Sequence, residues 1–219
     1  KAELLATLTP NHYKTQRVEA QIGEIEDTPV YRSDLFIEGG NLLSDGLGTC
    51  YTTQVLLDEN PGKTTLDLEG TLYTQFGCEQ VVWLEYLNGE GTGHIDMFTI
   101  LVDATNIIIG EYTTAQDPTN KAVLDGNVAI VEAITNTAGD PVTVHRIPML
   151  DPISDNWGRI WRSYTNGLRL NGKYLMPVYA DDRSLEADAI AVLQAIIPSV
   201  QIVPIDSDGI ITWGGAIHC

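Results

Sequence analysis

LFIEGGNLLSDGLGTCYTTQVLL, residues 35–57, contains two strand-like runs around a polar interruption, and this pattern recurs along the chain. An apolar, strand-like run is interrupted by Glu38-Gly-Gly-Asn41, turns through residues 44–48, and continues in a second strand-like run over residues 49–57. Gly46 and Gly48 supply the backbone conformations that such a turn requires. The pattern therefore predicts two neighbouring strands joined by a short turn.

A helix and a third strand are predicted after this pair. The helix follows Pro61-Gly62, ends at Gly77, and is followed by an apolar strand over residues 81–85. Its expected apolar face consists of Leu66, Leu72, Tyr73 and Phe76.

The same order of elements recurs twice further along the chain. The second unit has strand-like runs at 95–102 and 107–112, a helix at about 119–137 and a strand at 142–147. The third has runs at 163–170 and 174–179 around the hairpin signal Asn171-Gly172, a helix at about 184–197 and a strand at 200–203. A fourth unit is expected to begin at Ile210, and the helix centres are about 60 residues apart.

This regularity predicts an α/β fold built of repeated ββαβ units that stack radially. We expect residues 1–219 to form a single, incomplete catalytic domain with units at about 31–90, 91–150 and 160–205 and the start of a fourth at 208–219. An ordinary α+β sheet with coincidental spacing is the alternative.

Composition limits the functions that the protein can have. The 219 residues include 12 basic and 30 acidic side chains, a formal charge of −18, which argues against binding to nucleic acid. No run of apolar residues approaches the length of a membrane span, so no membrane association is predicted. The compartment is left open, with a secreted or periplasmic location slightly preferred.

Polar residues interrupt the first strand of every unit at equivalent places. Asn41 and His94 are 53 residues apart, His94 and Asn166 are 72 apart, and Asn166 and Cys219 are again 53 apart. If the units are radial, these positions converge on the axis and place a thiol, an imidazole, a carboxylate and an amide around one cavity.

Such a set suits covalent catalysis by cysteine. The imidazole of His94 could activate the Cys219 thiol and later move protons. Asp96 lies two residues beyond His94 on an extended chain, so its carboxylate should point the same way and could bind a cationic substrate bidentately. Three cysteines cannot all pair within one chain, so at least one thiol is free or reactive. Cys50 and Cys78 lie in strand and helix-end contexts and are interpreted as small buried apolar residues.

Structural interpretations of the same residues remain open. His94 alone in a strand could be a hydrogen-bonded structural residue, and Asn166 could bond only its strand neighbours. Glu38 and Asp45 could simply cap turns. The remaining histidines have no assignable partner and are interpreted as structural or solvent-exposed: His12, His145 and His218.

The residues at these interruptions resemble a known family. Glu38-Gly-Gly-Asn41, Gly93-His-Ile-Asp96, Ser163-Tyr-Thr-Asn166 and Gly214-Gly-Ala-Ile-His-Cys219 are similar, in order and spacing, to the guanidine-modifying superfamily, in particular bacterial peptidylarginine deiminases and agmatine deiminases. The resemblance covers the chain from about Tyr31. It implies a pentein α/β propeller of five ββαβ units around a pseudo-fivefold axis, of which this chain would hold three to four.

The resemblance also implies roles for individual residues. Cys219 matches the nucleophile, His94 the general acid/base, Asp96 a carboxylate that binds the guanidinium, and Asn166 a polar residue beside the active site. The implied reaction converts arginine to citrulline and ammonia through a cysteine thiouronium intermediate. It requires no metal and no organic cofactor.

The chain departs from the family pattern in two respects. An upstream Arg-Asp motif that supplies a second guanidinium-binding carboxylate is absent. Family members also continue beyond the nucleophile, whereas this sequence ends on it, so another chain or missing segments are expected to complete the ring. The segment before Cys219, with Trp213 at its start, favours peptidylarginine enzymes, and Arg17 is the weak candidate for binding a substrate carboxylate. The alternatives are an agmatine deiminase, an amidinotransferase, and a catalytically incomplete binding protein of the same fold.

Overall fold

Three small sheets with one topology form the framework of the protein. The structure, a computed structural model, describes residues 21, 23–30, 33–155 and 158–219. The chain divides into residues 1–34 and residues 35–219, and the candidate site lies in the second unit. None of the helices in the described residues has the length and apolarity needed to cross a bilayer.

Each sheet contains an antiparallel pair followed by a parallel pair. The strands of the first sheet are β1 (Leu43–Ser44), β2 (Thr49–Thr53) and β3 (Gln80–Leu84). Those of the second are β4 (Thr99–Leu101), β5 (Asn106–Glu111) and β6 (Thr143–Pro148). After a separate hairpin of β7 (Ile153–Asp155) and β8 (Gly158–Ile160), the third sheet has β9 (Leu168–Leu170), β10 (Lys173–Val178) and β11 (Gln201–Asp206).

One long helix connects the two parallel strands of each sheet. The helices are α1 (Val55–Asp58), α2 (Thr65–Phe76), α3 (Pro118–Glu132), α4 (Glu186–Ile196) and α5 (Asp208–Ile211). The connecting helices are therefore α2, α3 and α4, as the sequence predicts. The expected fourth unit begins with the helical turn α5, and residues 212–219 contain no strand.

Local chemistry explains where these helices begin and end. Thr64 and Asp67 form a reciprocal capping box at the start of α2, and Gly77 ends this helix with a φ of 74°. At α3 the Asp117 side chain accepts the Asn120 N–H, and a proline occupies the first turn, where no N–H is needed.

The predicted apolar face of α2 is wrong for three of its four residues. Leu66, Tyr73 and Phe76 are 77%, 60% and 42% exposed, whereas Leu72 is buried as predicted, together with Leu68. Leu68 and Leu72 lie one turn apart and pack in a cluster with Leu56 and both cysteines of the first unit. The position of this cluster, and not the number of apolar residues on a face, determines which side of the helix is buried.

The interpretation of Cys50 and Cys78 as unpaired residues is also wrong. They form a disulfide that joins β2 to the residue following the Gly77 cap of α2. Both are buried, and Cys219 is the free cysteine of the described residues. The cross-link closes a loop of 28 residues in sequence separation and so restricts the unfolded chain.

The core lies between the sheets. Alternate residues of β5 face opposite sides: Ile107 and Ile109 belong to the cluster shared with the first sheet, and Ile108 to the cluster shared with the third. This central strand is apolar and buried on both faces.

The first strand of each unit is shorter than predicted. Residues 39–41 and 95–97 form 3₁₀ turns instead of strands, and the strand expected from residue 163 begins only at Leu168. The displaced segments contain buried polar side chains, among them Asn41, Asp96 and Asn166. Their side-chain hydrogen bonds go to the end of β2 and to neighbouring loops, outside any strand ladder, which explains why these segments are irregular.

Candidate active site

The irregular segments of the first two units meet α5 and the segment after it at one cavity of about 530 Å³. Its lining consists of Glu38, Thr92, His94, Ile210, Trp213, Gly214, Gly215 and Cys219. The indole of Trp213 is 88% exposed at this cavity, whereas His94 is only 6% exposed. The cavity therefore has a buried end at the imidazole and a solvent-accessible end at the indole.

The structure brings Cys219, His94 and Asp96 together. The Cys219 sulfur lies 3.4 Å from Nδ1 of His94 and donates a hydrogen bond to Oδ1 of Asp96 at 3.3 Å. Cys219 is 125 residues from His94 and 123 from Asp96 in sequence, and it comes from a different unit. A nucleophile, a base and a carboxylate thus lie within reach of one reacting atom.

Glu38 holds the other side of the His94 ring. Its Oε2 is 3.0 Å from Nε2 of His94. A carboxylate accepts hydrogen bonds, so Nε2 is the donor in this contact and Nδ1 is the ring nitrogen that faces the Cys219 sulfur. Of the two interpretations of Glu38, turn cap or functional residue, this contact favours the second. Asp45 instead caps a turn, accepting the N–H groups of Leu47 and Thr49.

Asp96 is shared between two partners. It is 2% exposed, and its Oδ2 is 2.8 Å from Nδ1 of His218. This hydrogen bond raises the pKa of His218, while burial acts in the opposite direction. The interpretation of His218 as a residue without a partner is therefore wrong, and a second imidazole lies beside the carboxylate that faces the thiol.

The Cys219 thiol is held in its protonated form at neutral pH. Burial raises its pKa, and the nearby Asp96 carboxylate raises it further, while a hydrogen bond from the Asn166 side chain acts in the opposite direction. A positive charge placed between Asp96 and Cys219 would offset the carboxylate and lower the thiol pKa.

Asn166 positions the segment that carries Cys219. Its Oδ1 accepts the N–H groups of Ala216 at 2.8 Å and of Cys219 at 3.3 Å, and its backbone carbonyl accepts those of Ile217 and His218. The predicted site residue Asn166 is fully buried and thus acts on the Cys219 backbone.

Asn41 makes the matching contact one unit earlier. Its Oδ1 accepts the N–H groups of Ile95 at 3.3 Å and of Thr53 at 3.2 Å. Ile95 lies between His94 and Asp96, so Asn41 positions their loop as Asn166 positions the Cys219 loop. The two 53-residue spacings in the sequence thus correspond to two equivalent asparagine contacts.

Gly40 forms the floor of the site. A Cβ at this position would lie 2.6 Å from Nδ1 of His94, 2.8 Å from the Cys219 sulfur and 2.9 Å from Oδ2 of Asp96. Only a residue without a side chain leaves the three groups in place.

The structure thus includes site residues that the sequence analysis did not assign. Glu38 and Gly40 lie in the Glu-Gly-Gly-Asn segment, and the interruption of a strand by this segment could have indicated that they belong to the site. Asp96, the partner of His218, is 122 residues away in sequence, so no local pattern indicated their contact. Arg17, expected to bind a substrate carboxylate, lies outside the described residues.

Comparison with known proteins identifies related sequences over most of the chain. The family model for Porphyromonas-type peptidyl-arginine deiminase matches residues 7–219. Agmatine deiminase of Pseudomonas aeruginosa is 29% identical over 230 residues, which cover 94% of this chain and 62% of that protein. The chain therefore spans about three fifths of the length of the curated relatives that it matches.

Solved structures agree with this result. Agmatine deiminase of Enterococcus faecalis has a TM-score of 0.83 and 25% sequence identity, covering 91% of this chain and 60% of that one. A C. jejuni agmatine deiminase, 21% identical, has a TM-score of 0.78 over 93% of this chain and 60% of that one, and supports the fold alone. The mixed α/β fold is shared with these deiminases.

Proposed function

The chain belongs to the Porphyromonas-type peptidyl-arginine deiminase family, and from this membership we propose that the protein is a cysteine hydrolase that deiminates a small guanidino substrate. The observation that carries the proposal is the convergence of the Cys219 sulfur, His94 Nδ1 and the Asp96 carboxylate at one end of a cavity. The proposed substrate is agmatine, and peptidyl-arginine is the alternative.

Asp96 is the proposed binding partner of the guanidinium. A guanidinium stays protonated at every accessible pH, so its site must supply negative charge. The positive charge of a guanidinium bound beside Oδ1 of Asp96 offsets the negative charge of that carboxylate, which is one cause of the raised Cys219 pKa. Substrate binding therefore favours the thiolate, and the thiol proton passes to Nδ1 of His94, 3.4 Å away.

The chemical steps then follow from the positions of these two groups. The thiolate attacks the guanidinium carbon and forms a carbon–sulfur bond. One carbon–nitrogen bond breaks as ammonia leaves with the proton held by His94, so a thiouronium remains on Cys219. His94 next takes a proton from water, the hydroxide adds to the same carbon, and the carbon–sulfur bond breaks to release a ureido product and the thiol.

Glu38 is proposed to support both proton transfers. Its carboxylate lies 3.0 Å from Nε2 of His94, so it stabilises the imidazolium that forms when Nδ1 accepts the thiol proton. It also fixes the ring orientation, because the hydrogen bond constrains the ring plane.

The charge of the cavity favours agmatine over a substrate with a carboxylate. Agmatine carries a second positive charge at its far end. None of the described residues that line the cavity is Lys or Arg, whereas Glu38 supplies a negative charge and Trp213 an aromatic face. The relatives that are named agmatine deiminase support the same choice.

The proposed complete architecture is a five-unit propeller. The common topology of the three sheets supports it, as do equivalent asparagines where the first unit meets the second and where the third meets the fourth. The remaining part of the ring would supply the second guanidinium-binding carboxylate that the sequence analysis did not find.

Substrate profiling of the full-length protein tests the proposed function. We expect release of ammonia and a ureido product from agmatine, with a kcat/KM at least tenfold above that for an acylated arginine peptide, and no turnover by Cys219→Ser. A higher kcat/KM for the peptide would show that peptidyl-arginine, and not agmatine, is the substrate. Transfer of the amidino group to an added amine would indicate an amidinotransferase, and guanidine binding without turnover would indicate a binding protein.

A further inference from the structure

We propose that His94, Asp96 and Cys219 form a binding site for a Zn²⁺ ion, which inhibits the protein by masking the thiol. The metal site stands independently of the proposed function, whereas the inhibition rests on it. The three side chains offer nitrogen, oxygen and sulfur ligand atoms that all lie within 4.8 Å of one another. Mixed ligand sets of this kind suit Zn²⁺.

The Cys219 sulfur lies at the tetrahedral distance from both other ligand atoms. With zinc–sulfur and zinc–nitrogen bonds of about 2.3 and 2.0 Å, neighbouring ligand atoms in a tetrahedron are roughly 3.5 Å apart. The sulfur is 3.4 Å from Nδ1 of His94 and 3.3 Å from Oδ1 of Asp96. The His94 and Asp96 ligand atoms lie within 4.8 Å of each other and draw together on binding, and the fourth corner can be taken by water or a ligand from the cavity.

The absence of a side chain at Gly40 leaves room beside these ligands. A Cβ at this position would lie 2.6 Å from Nδ1 of His94, 2.8 Å from the Cys219 sulfur and 2.9 Å from Oδ2 of Asp96, so any side chain there would crowd all three residues. Gly40 is therefore required for an ion as much as for the thiol chemistry.

The groups that surround the ligands also match a metal site. A histidine that binds a metal usually donates its other ring N–H to a carboxylate, and such partners contribute to metal affinity. Glu38 accepts that hydrogen bond from Nε2 of His94 at 3.0 Å, which leaves Nδ1 as the donor atom. His218 holds Oδ2 of Asp96, which leaves Oδ1 directed at the sulfur.

Binding replaces one proton. The ion takes the place of the thiol hydrogen, the proton passes to solvent, and no oxidation or reduction occurs. Zinc bound in this way occupies the sulfur, Nδ1 and Oδ1, the same atoms that the proposed deimination uses. Zinc and a guanidino substrate should therefore exclude one another.

Titration of the full-length protein with Co²⁺ as a spectroscopic substitute for Zn²⁺ tests the site. One equivalent should produce the near-ultraviolet band of a cobalt–thiolate bond together with visible bands typical of tetrahedral cobalt, and Zn²⁺ should displace it one for one. Cys219→Ser should remove the thiolate band, Asp96→Asn should weaken binding at least tenfold, and Glu38→Gln should weaken it about 10- to 100-fold.

His145→Ala is the matched control. His145 pairs with Asn106 at 3.0 Å, away from the cavity, so this variant should bind Co²⁺ as the parent does. Protection of Cys219 from iodoacetamide by Zn²⁺ in the unaltered protein gives a second measurement that does not depend on folding of a variant. Absence of the thiolate band, equal Co²⁺ affinity of Cys219→Ser, or unprotected alkylation would each overturn the site.

Agmatine turnover separates this proposal from the proposed function. A protein that deiminates agmatine but shows no cobalt–thiolate band retains the function and loses the metal site. A protein with the band but no turnover retains the metal site and loses the function. Turnover that rises when Zn²⁺ is added would overturn the inhibition.

Discussion

Gly40→Ala should inactivate the protein without unfolding it. The added Cβ would lie 2.6 Å from His94 Nδ1, 2.8 Å from the Cys219 sulfur and 2.9 Å from Asp96 Oδ2, whereas ordinary contacts begin at 3.4 Å. The three groups must therefore retreat by about 0.5 to 0.8 Å. Since a misplacement of ~1 Å costs about 100-fold in rate, we expect kcat/KM to fall roughly 10- to 100-fold, or about 1.4 to 2.7 kcal/mol.

Gly39→Ala is the matched control for this prediction. A Cβ at Gly39 meets no atom within 4 Å, although the two glycines are neighbours in the same 3₁₀ turn. Neither glycine has a φ in the left-handed region, so alanine should change the free energy of unfolding by at most about 1 kcal/mol at Gly39. The measurements are kcat/KM for agmatine and Tm of both variants. Equal kcat/KM values for the two variants would refute the proposed floor of the site.

Three further changes have distinct expected outcomes. Asp96→Asn should lower kcat/KM by about 2 to 5 kcal/mol, roughly 30-fold to several thousandfold, because the guanidinium loses its counter-charge. The same change should speed iodoacetamide alkylation of Cys219 at pH 8, because the carboxylate that helps to raise the thiol pKa is gone; slower alkylation would contradict this cause. Replacing both Cys50 and Cys78 by alanine should lower the free energy of unfolding by about 3 to 4 kcal/mol, judged from urea unfolding, since their loop spans 28 residues. That double variant should keep kcat/KM within a few fold, and a large loss in a still-folded protein would link the disulfide to the site. Trp213→Ala should raise KM for agmatine about 2- to 30-fold if the indole contacts its ammonium, and an unchanged KM would exclude that contact.

The periodic parts of the fold were predictable from the sequence. The helices α2, α3 and α4 and the middle and last strands of the three sheets lie close to their predicted positions, because apolar spacing and capping residues such as Thr64 and Gly77 act locally. The first strands were predicted too long. Their polar residues form hydrogen bonds across unit boundaries, and a local pattern contains no information about those partners.

The candidate site was predictable only where the repeat supplied the distance information. The equal spacing of the interruptions predicted that His94 and Cys219 lie at one cavity, and the structure places Nδ1 of His94 3.4 Å from the Cys219 sulfur. The disulfide and the contact between His218 and Asp96 join residues with no repeat relation, so nothing in the sequence pattern indicated them. The substrate prediction depended on a short segment around Trp213 that suggested peptidyl-arginine, whereas relatives such as the Pseudomonas aeruginosa protein are named agmatine deiminase.

The most direct test of the central claim is the mass of the protein during turnover. Acid quenching of the full-length protein with agmatine should trap an adduct equal in mass to agmatine minus ammonia, and peptide mapping should place it on Cys219. The adduct should be absent from Cys219→Ser. Formation of the ureido product with no adduct on Cys219, or undiminished turnover by Cys219→Ser, would contradict covalent catalysis at this thiol.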